Sequence, residues 1–225
     1  MKLNVLIACE ESQAVCLAFR ELGHFAFSAD LQKCSGGHPE WHIVGDVTPL
    51  LNGRCSFYTQ DGQGYTISGR WDVVIAHPPS TYLTKAGATL MFPNKILDEE
   101  RYQLGEAARE FFFKCLNADA EFVCVENPQP MHIFNLPPPT TQIQPYEFGH
   151  PWRKLTYLWL KNLPPLMPSI ICTKVKSWVH CTKGGKKRSK TFRGIATAMA
   201  SQWTDFIAAA YQSEPHPRSF VNAVC

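Results

Sequence analysis

The sequence predicts an α/β fold, a mostly parallel sheet with helices on both faces. Two observations carry that expectation. Apolar runs of the kind buried in sheets alternate with segments of helical periodicity, and polar or proline-containing motifs stand where the runs end. Residues 3–8 form a continuous apolar run, as a parallel strand covered on both faces requires. Residues 11–22 follow at helical spacing, with Val15, Phe19 and Leu22 on one face. Gly23 ends that helix, and residues 24–28 open a second strand. Strand, helix and strand in this order make a βαβ opening.

The remaining elements follow the same logic. Ile43-Val44 reads as a short third strand leading into Gly45-Asp46-Val47. Residues 54–68 alternate around Asp61-Gly62, a hairpin turn signal, so an antiparallel excursion is expected there. Residues 71–76 form the next buried strand and stop at His77-Pro78-Pro79. Residues 99–117 carry Ala107, Phe111 and Leu116 at near-helical spacing. A strand over 121–125 then stops at Glu126-Asn127-Pro128, another covers 155–160, and residues 195–211 read as a closing helix. The prolines at 137–139 and 164–168 mark loops. At 225 residues the chain is long enough for one sizeable core and short for two, so a single domain over 1–225 is expected.

Composition narrows the class. Hydrophobic residues make up 45% and charged residues 18%, which excludes a disordered chain. The opening apolar run is too short for a signal peptide or a membrane span, and no later stretch approaches the required length, so a cytoplasmic protein away from membranes is expected. Nine cysteines are odd in number and scattered, and Cys9, Cys115 and Cys124 sit inside apolar runs; free thiols in a reducing compartment fit that pattern. The net charge of +3 does not by itself demand nucleic acid. Its distribution is more informative, because Lys183, Lys186, Lys187, Arg188, Lys190 and Arg193 form a basic run without an acid. That run reads either as a solvated loop or as a phosphate contact.

In a sheet of this kind ligands sit in the crevice beyond the carboxyl ends of the strands. Four motifs stand at those ends: residues 9–12, 30–31, 77–80 and 126–128. Two prolines after a buried strand fix the backbone twice and aim Ser80 rigidly out of the sheet, although a strand-terminating turn alone also explains a Pro-Pro pair. The polar residues 81–87 read as a mobile loop. Glu126 just beyond a strand can cap a helix or pair with a surface base. It can also hydrogen-bond N3 and the exocyclic amine of cytosine, and a proton delivered to N3 makes C6 electrophilic.

Together these motifs resemble the DNA cytosine-C5 methyltransferase family over most of the chain. The resemblance implies a Rossmann-like fold dependent on S-adenosylmethionine as cofactor. Cys9, Glu10, Glu11 and Ser12 stand at the family's first cofactor loop. Asp30, followed by Leu31, stands at the acid for the ribose hydroxyls, and Asp46 with Val47 at the acid for the adenine amine. Pro78-Pro79-Ser80 matches the Pro-Pro-Cys nucleophile motif and the following loop also matches, which places His77 and Pro78 beside the cofactor and Pro79, Thr81 and Lys85 beside the substrate. Glu126-Asn127-Pro128 matches the Glu-Asn-Val motif, Arg153 the first arginine of Gln-x-Arg-x-Arg, and Arg193-Gly194-Ile195-Ala196 a weak version of the last motif. The resemblance thus implies Ser80, Glu126 and Arg153 as catalytic and Asn127 and Lys154 as substrate contacts. A group of short phage and prophage proteins shares the Ala-Cys-Glu opening and the Ser-Gly-Gly-His-Pro-Glu segment at 35–40.

Three departures qualify the resemblance. The first loop lacks the family's glycines. Leu155 replaces the second arginine, leaving Lys154 or Thr156 to meet the base carbonyl. Ser80 replaces the nucleophilic thiol: a thiol with a pKa of ~8.5 supplies some thiolate at neutral pH, and a serine hydroxyl supplies almost none without a dedicated base. An inactivated or engineered form is the reading that follows. Residues 161–192 make a short basic insert where the family carries a target-recognition domain, so DNA read with little sequence preference and a free cytidine nucleotide such as CMP or dCMP are the two substrates to weigh. Two other classes compete: an amino-methyltransferase, whose Pro-Pro-aromatic motif is absent here, and a degenerate methyltransferase that only binds. Cys34, His38 and His42 have ligand-like spacing, and His180 and Cys181 lie near Cys172, but no fourth ligand is evident and no metal is expected. A loop over the cofactor is the reading for 34–42.

Overall fold

The computed structural model describes residues 1–182, 189–213 and 221–224. The opening unit is β1 (Asn4–Ala8), α1 (Ala14–Glu21) and β2 (Phe25–Asp30), followed by β3 (His42–Val44). A hairpin of β4 (Cys55–Tyr58) and β5 (Gly64–Ile67) precedes β6 (Trp71–Ala76), a short helix α2 (Ala88–Met91), the long α3 (Glu99–Leu116) and β7 (Ala120–Asn127). Then come β8 (Thr141–Ile143), β9 (Trp152–Arg153), β10 (Thr156–Lys161), β11 (Lys176–Ser177) and α4 (Trp178–Cys181). The helix α5 (Arg193–Ser213) and the strand β12 (Val221–Val224) close the chain as described.

The main sheet has seven strands in the order β3-β2-β1-β6-β7-β10-β8. Its first five strands are parallel, and β10 runs antiparallel to both of its neighbours. The fold is therefore α/β with a large, mostly parallel sheet. From β1 the chain winds outward to β2 and β3, then crosses to β6 on the other side and winds outward again to β7. The reversal between β1 and β6 is the switch point at which such sheets leave a crevice beyond their carboxyl ends.

Burial explains the apolar runs. β1 is buried along its whole length because both faces are covered. On one face Val5, Ile7, Phe122 and Cys124 pack with Phe19 of α1 and Met199 and Trp203 of α5; on the other Leu6, Val74, Val123 and Val125 pack with Phe112 of α3. Asp98 caps α3 by accepting the Arg101 N–H at 2.9 Å, and Glu99 and Glu100 stand in the first turn, where acids favour the helix dipole. The hairpin expected around Asp61-Gly62 forms and β12 adds to β5, giving a separate three-stranded antiparallel sheet.

Gly194, at the start of α5, lies so close to the chain after β8 that an added Cβ would fall 1.8 Å from the Phe148 carbonyl oxygen. Its N–H donates to Nε2 of His150 at 2.9 Å. Gly194→Ala is expected to destabilise the protein by about 2–3 kcal/mol, since a backbone must move to admit the methyl group. Chemical denaturation of the purified variant measures this, and an unchanged midpoint would show that α5 is not seated so tightly.

Candidate active site

The tips of β6 and β7 meet at the switch-point edge. Ala76 and Val125 are register partners, so His77 and Glu126 stand on the next rung. Nδ1 of His77 lies 2.7 Å from Oε2 of Glu126, with the two side chains only 10% and 12% exposed. The His77 N–H donates to the Ala8 carbonyl at 2.9 Å, which extends β6 along β1 by one bond. Asn127 points to the opposite face, where Nδ2 donates to the Pro78 carbonyl at 3.0 Å. The two strand tips are thus tied through both faces.

The surroundings favour the charged form of both partners. Burial would lift the Glu126 carboxyl, but the hydrogen bond from His77 and the nearby charges of Lys154 and His77 hold it below its ordinary value. Burial would lower the His77 imidazole, but its bond to Glu126 and the charges of Glu126 and Glu10 raise it above its ordinary value. Nε2 of His77 is buried without a hydrogen-bond partner among the described residues. Sequence reasoning assigned His77 to the cofactor; its nearest partner is instead the glutamate expected to meet the substrate. A basic residue just beyond one strand and an acidic one just beyond its neighbour were the available signal.

Ser80 follows three residues after His77 and is half-buried. Its carbonyl accepts the N–H groups of Leu83 and Thr84 at 3.1 and 3.0 Å, while its hydroxyl has no hydrogen-bond partner among the described residues. The residues that follow form a secured connection, where the sequence suggested a mobile polar loop. Thr84 bridges to Pro130, the Lys85 N–H donates to the Gln129 carbonyl at 2.8 Å, and the Met131 N–H donates to the carbonyl of buried Leu83 at 2.7 Å. From α3, Arg101 donates to the Thr81 carbonyl at 3.0 Å and lies over the Tyr82 ring. Pro79, Thr81 and Lys85 are exposed and Pro78 is buried.

Of the two cations singled out near β10, Lys154 and not Arg153 reaches this centre. Arg153 is exposed on the small β9–β11 ribbon. Lys154 shares with Glu126, Thr156, Thr191, Phe192 and Ile195 a cavity of about 10 Å³, room for about one water. Thr191, Phe192 and Ile195 belong to the approach to α5 and its first turn, so the segment that resembles the family's last motif closes over Glu126. The same segment reaches the tip of β1, where Nζ of Lys190 lies 2.8 Å from Oγ of Ser35 and 3.9 Å from Oε1 of Glu11. Arg193 pairs at 3.6 Å with exposed Glu21. Lys183, Lys186, Lys187 and Arg188 lie outside the described residues.

At the tip of β1, Cys9 and Gln13 both adopt left-handed backbone with φ of 61°. These are conformations that glycine enters without penalty, which accounts for a tight loop built without one. Glu10 is buried beneath it: Oε1 accepts the Val15 N–H at 2.7 Å and Oε2 the Cys16 N–H at 3.2 Å. Both oxygens therefore cap the start of α1. Burial keeps the Cys9 thiol protonated. Gln13 exchanges two hydrogen bonds with the backbone of His38, at 2.8 and 3.1 Å, and the Ser35 N–H donates to the Glu11 carbonyl, so residues 35–38 lie directly on this loop. Asp30 accepts the Gln32 N–H through Oδ1, and Asp46 accepts both Thr48 donors through Oδ1, leaving Oδ2 of each acid for a ligand. Leu31 is exposed and Val47 buried.

Two of the possible metal ligands, His38 and His42, are engaged elsewhere. His42 bonds to Ser28 at 2.8 Å and to the Gln32 carbonyl at 2.8 Å, and His38 pairs with Glu40 and stacks on Trp41. Among the described residues no three His, Cys, Asp or Glu side chains are grouped to hold a metal ion. No described helix is long and apolar enough to cross a membrane.

No family model matches the chain, and no curated protein matches it. Among solved structures it aligns with a candidate DNA modification methyltransferase encoded within an E. coli prophage, at 15% identity and a TM-score of 0.45. The alignment covers 76% of this chain and 52% of that one, so this chain spans about half the length of its structural neighbour.

The shifts of the His77–Glu126 pair fix a pH dependence. The lowered carboxyl stabilises the fold above its ordinary value of 4.5 and loses that contribution as pH falls through the lowered value. The raised imidazole stabilises fully below its ordinary value of 6.5 and loses its contribution as pH rises through the raised value. Glu126→Gln should therefore cost most between 4.5 and 6.5, by about 2–3 kcal/mol for a buried charged hydrogen bond. Urea unfolding of both proteins across pH tests this; a deficit that does not narrow at either extreme would rule out a charged pair.

Proposed function

We propose that this chain is an S-adenosylmethionine-dependent methyltransferase scaffold for C5 of cytosine in DNA, and that Ser80 leaves it nearly inactive. One observation carries the reading. The hydrogen-bonded His77–Glu126 pair stands at the carboxyl edge beside the rigid Pro-Pro turn that presents position 80. A carboxyl group and a nucleophile position from neighbouring strand tips are what attack on an activated pyrimidine needs.

The chemistry assigned to each residue follows from its surroundings. Oε1 of Glu126 has no partner among the described residues and is free to face N3 of the base. In the balanced step the imidazolium of His77 gives its Nδ1 proton to Oε2 of Glu126, 2.7 Å away, the carboxyl group turns to present that oxygen to N3, and the proton passes to N3 and leaves the imidazole neutral. Glu126 is thus the catalytic acid and His77 its positioning residue. Protonation at N3 draws electrons from C6, and a thiolate at position 80 would add there, leaving C5 nucleophilic. Ser80 has neither the acidity nor a neighbouring base to do this. Lys154, beside Glu126 in a cavity with room for about one water, is assigned to the base carbonyl in place of Arg153 on its exposed ribbon, and the segment before α5 must move aside to admit the base.

The groups at the tips of β1, β2 and β3 favour a nucleoside over a phosphate. Dinucleotide folds seat a pyrophosphate on the first amides of the helix after β1. Here Glu10, whose carboxyl is pushed up by burial, already occupies those of Val15 and Cys16, so these two amides are not open to a phosphate. The second oxygens of Asp30 and Asp46 suit the ribose hydroxyls and the adenine amine, with Cys9 close to both acids. S-adenosylmethionine, when bound, supplies a methyl group made electrophilic by a sulfonium.

Ser80→Cys tests the reading. With labelled methyl donor and a cytosine oligonucleotide, the variant is expected to transfer methyl groups that digestion locates at C5, far faster than the parent chain. Adding Glu126→Gln should lower that turnover by at least about 100-fold, the usual contribution of general acid catalysis. Methyl groups on N4, or equal rates with serine and cysteine at position 80, would overturn the assignment.

A further inference from the structure

On the α3 side of the sheet, a cavity of about 630 Å³ opens between the segment after β7, the strand β10 and the edge strand β8. None of the residues assigned above lines it. Its walls combine two chemistries. Tyr157, His132 and the prolines at 137–139 present flat or rigid apolar surfaces, and Gln129, Asn135 and Gln142 present side-chain amides. The amides, the imidazole and the phenol make no side-chain hydrogen bond within the described residues. No Asp, Glu, Lys or Arg contributes to the walls.

The cavity lies on the face of the sheet opposite the Glu126 side chain and meets the candidate active site at the strand tips. Tyr157 is the register partner of Asn127, whose side chain holds the Pro78 carbonyl. Gln129 and Pro130 in the cavity wall are the backbone partners of Lys85 and Thr84 in the loop after Ser80. The exposed Lys85 therefore stands at the rim of a neutral interior.

We infer that this cavity receives an unpaired nucleobase of the substrate strand, next to the cytosine held at Ser80 and Glu126. This rests on the methyltransferase reading and deepens it by making the substrate a strand and not a free nucleotide. Aromatic and proline faces stack a flat ring, amide groups pair with its polar edge, and a wall without charge keeps phosphates outside, where Lys85 stands. The volume exceeds that of a single base, so the neighbouring sugar is also admitted. Readout of one base here supplies some of the selectivity that a chain lacking a target-recognition domain otherwise forgoes.

The test measures binding and is independent of methyl transfer. A labelled single-stranded oligonucleotide with one cytosine is titrated with the parent chain, intact or with an abasic site placed in turn on either side of the cytosine. One of the two positions is expected to weaken binding at least about fivefold, as loss of a stacked base does. Tyr157→Ala should bind the intact strand as weakly as the parent binds the abasic one, and should no longer distinguish the two strands. The exposed Gln142→Ala, which leaves the core untouched, should lose part of that discrimination and carries the test if Tyr157→Ala does not fold. Parent chain indifferent to both abasic positions, or variants that discriminate as it does, would overturn the proposal. So would failure to bind any strand; Ser80→Cys methylating a free cytidine nucleotide in that event would leave the methyltransferase reading standing.

Discussion

The candidate site depends on one buried contact, the hydrogen bond between His77 and Glu126. Neither charge would be tolerated alone at that depth, since removing one partner of a buried pair costs about 3–5 kcal/mol. Together they fix the tips of two parallel strands one rung beyond their last register pair. Around that bond, Asn127 ties the opposite face to Pro78, the loop after Ser80 is stitched to residues 129–131, and the approach to α5 covers the carboxylate. The remaining groups at the edge keep that pair and the turn at Ser80 still.

The switch point divides the edge into two chemically different regions. On the β1, β2 and β3 side the side chains are acidic, and the helix start is already capped by Glu10. The amides there are closed to phosphate, and the acids Asp30 and Asp46 each keep one oxygen without a bond among the described residues. On the β7, β10 and β8 side the walls are neutral and flat, with lysines at positions 85 and 154 nearby. A methyl donor and a nucleic-acid strand would approach from these two sides and meet over Ser80 and Glu126.

Much of the fold was legible in the sequence because both faces of the sheet are covered. Strands such as β1 and β6 are then continuous apolar runs, and α1, α3 and α5 show their stripes. The short edge elements were not legible: β8 has three residues, β9 and β11 two each, and their pairing is set by distant partners and not by local pattern. At the site, the strand-end positions of Ser80, Glu126, Asp30 and Asp46 could be read from motif order. What each side chain touches could not. Glu10 caps a helix, Lys154 replaces Arg153 beside Glu126, and His77 faces the glutamate, because those outcomes depend on which face of a strand tip a residue occupies. The left-handed Cys9 and Gln13 were equally hidden, since neither residue type announces that conformation.

The convergence of positions 80 and 126 on one pyrimidine can be measured by covalent trapping. An oligonucleotide with 5-fluorocytosine carries fluorine where the C5 proton must leave, so an adduct formed at C6 persists after methyl transfer. With the methyl donor present, the Ser80→Cys chain is predicted to gain the mass of that oligonucleotide, linked through residue 80, and the chain also carrying Glu126→Gln is predicted to form little adduct. Absence of any adduct from a folded Ser80→Cys protein that binds donor and strand, or equal yield without the carboxyl group, would contradict the account.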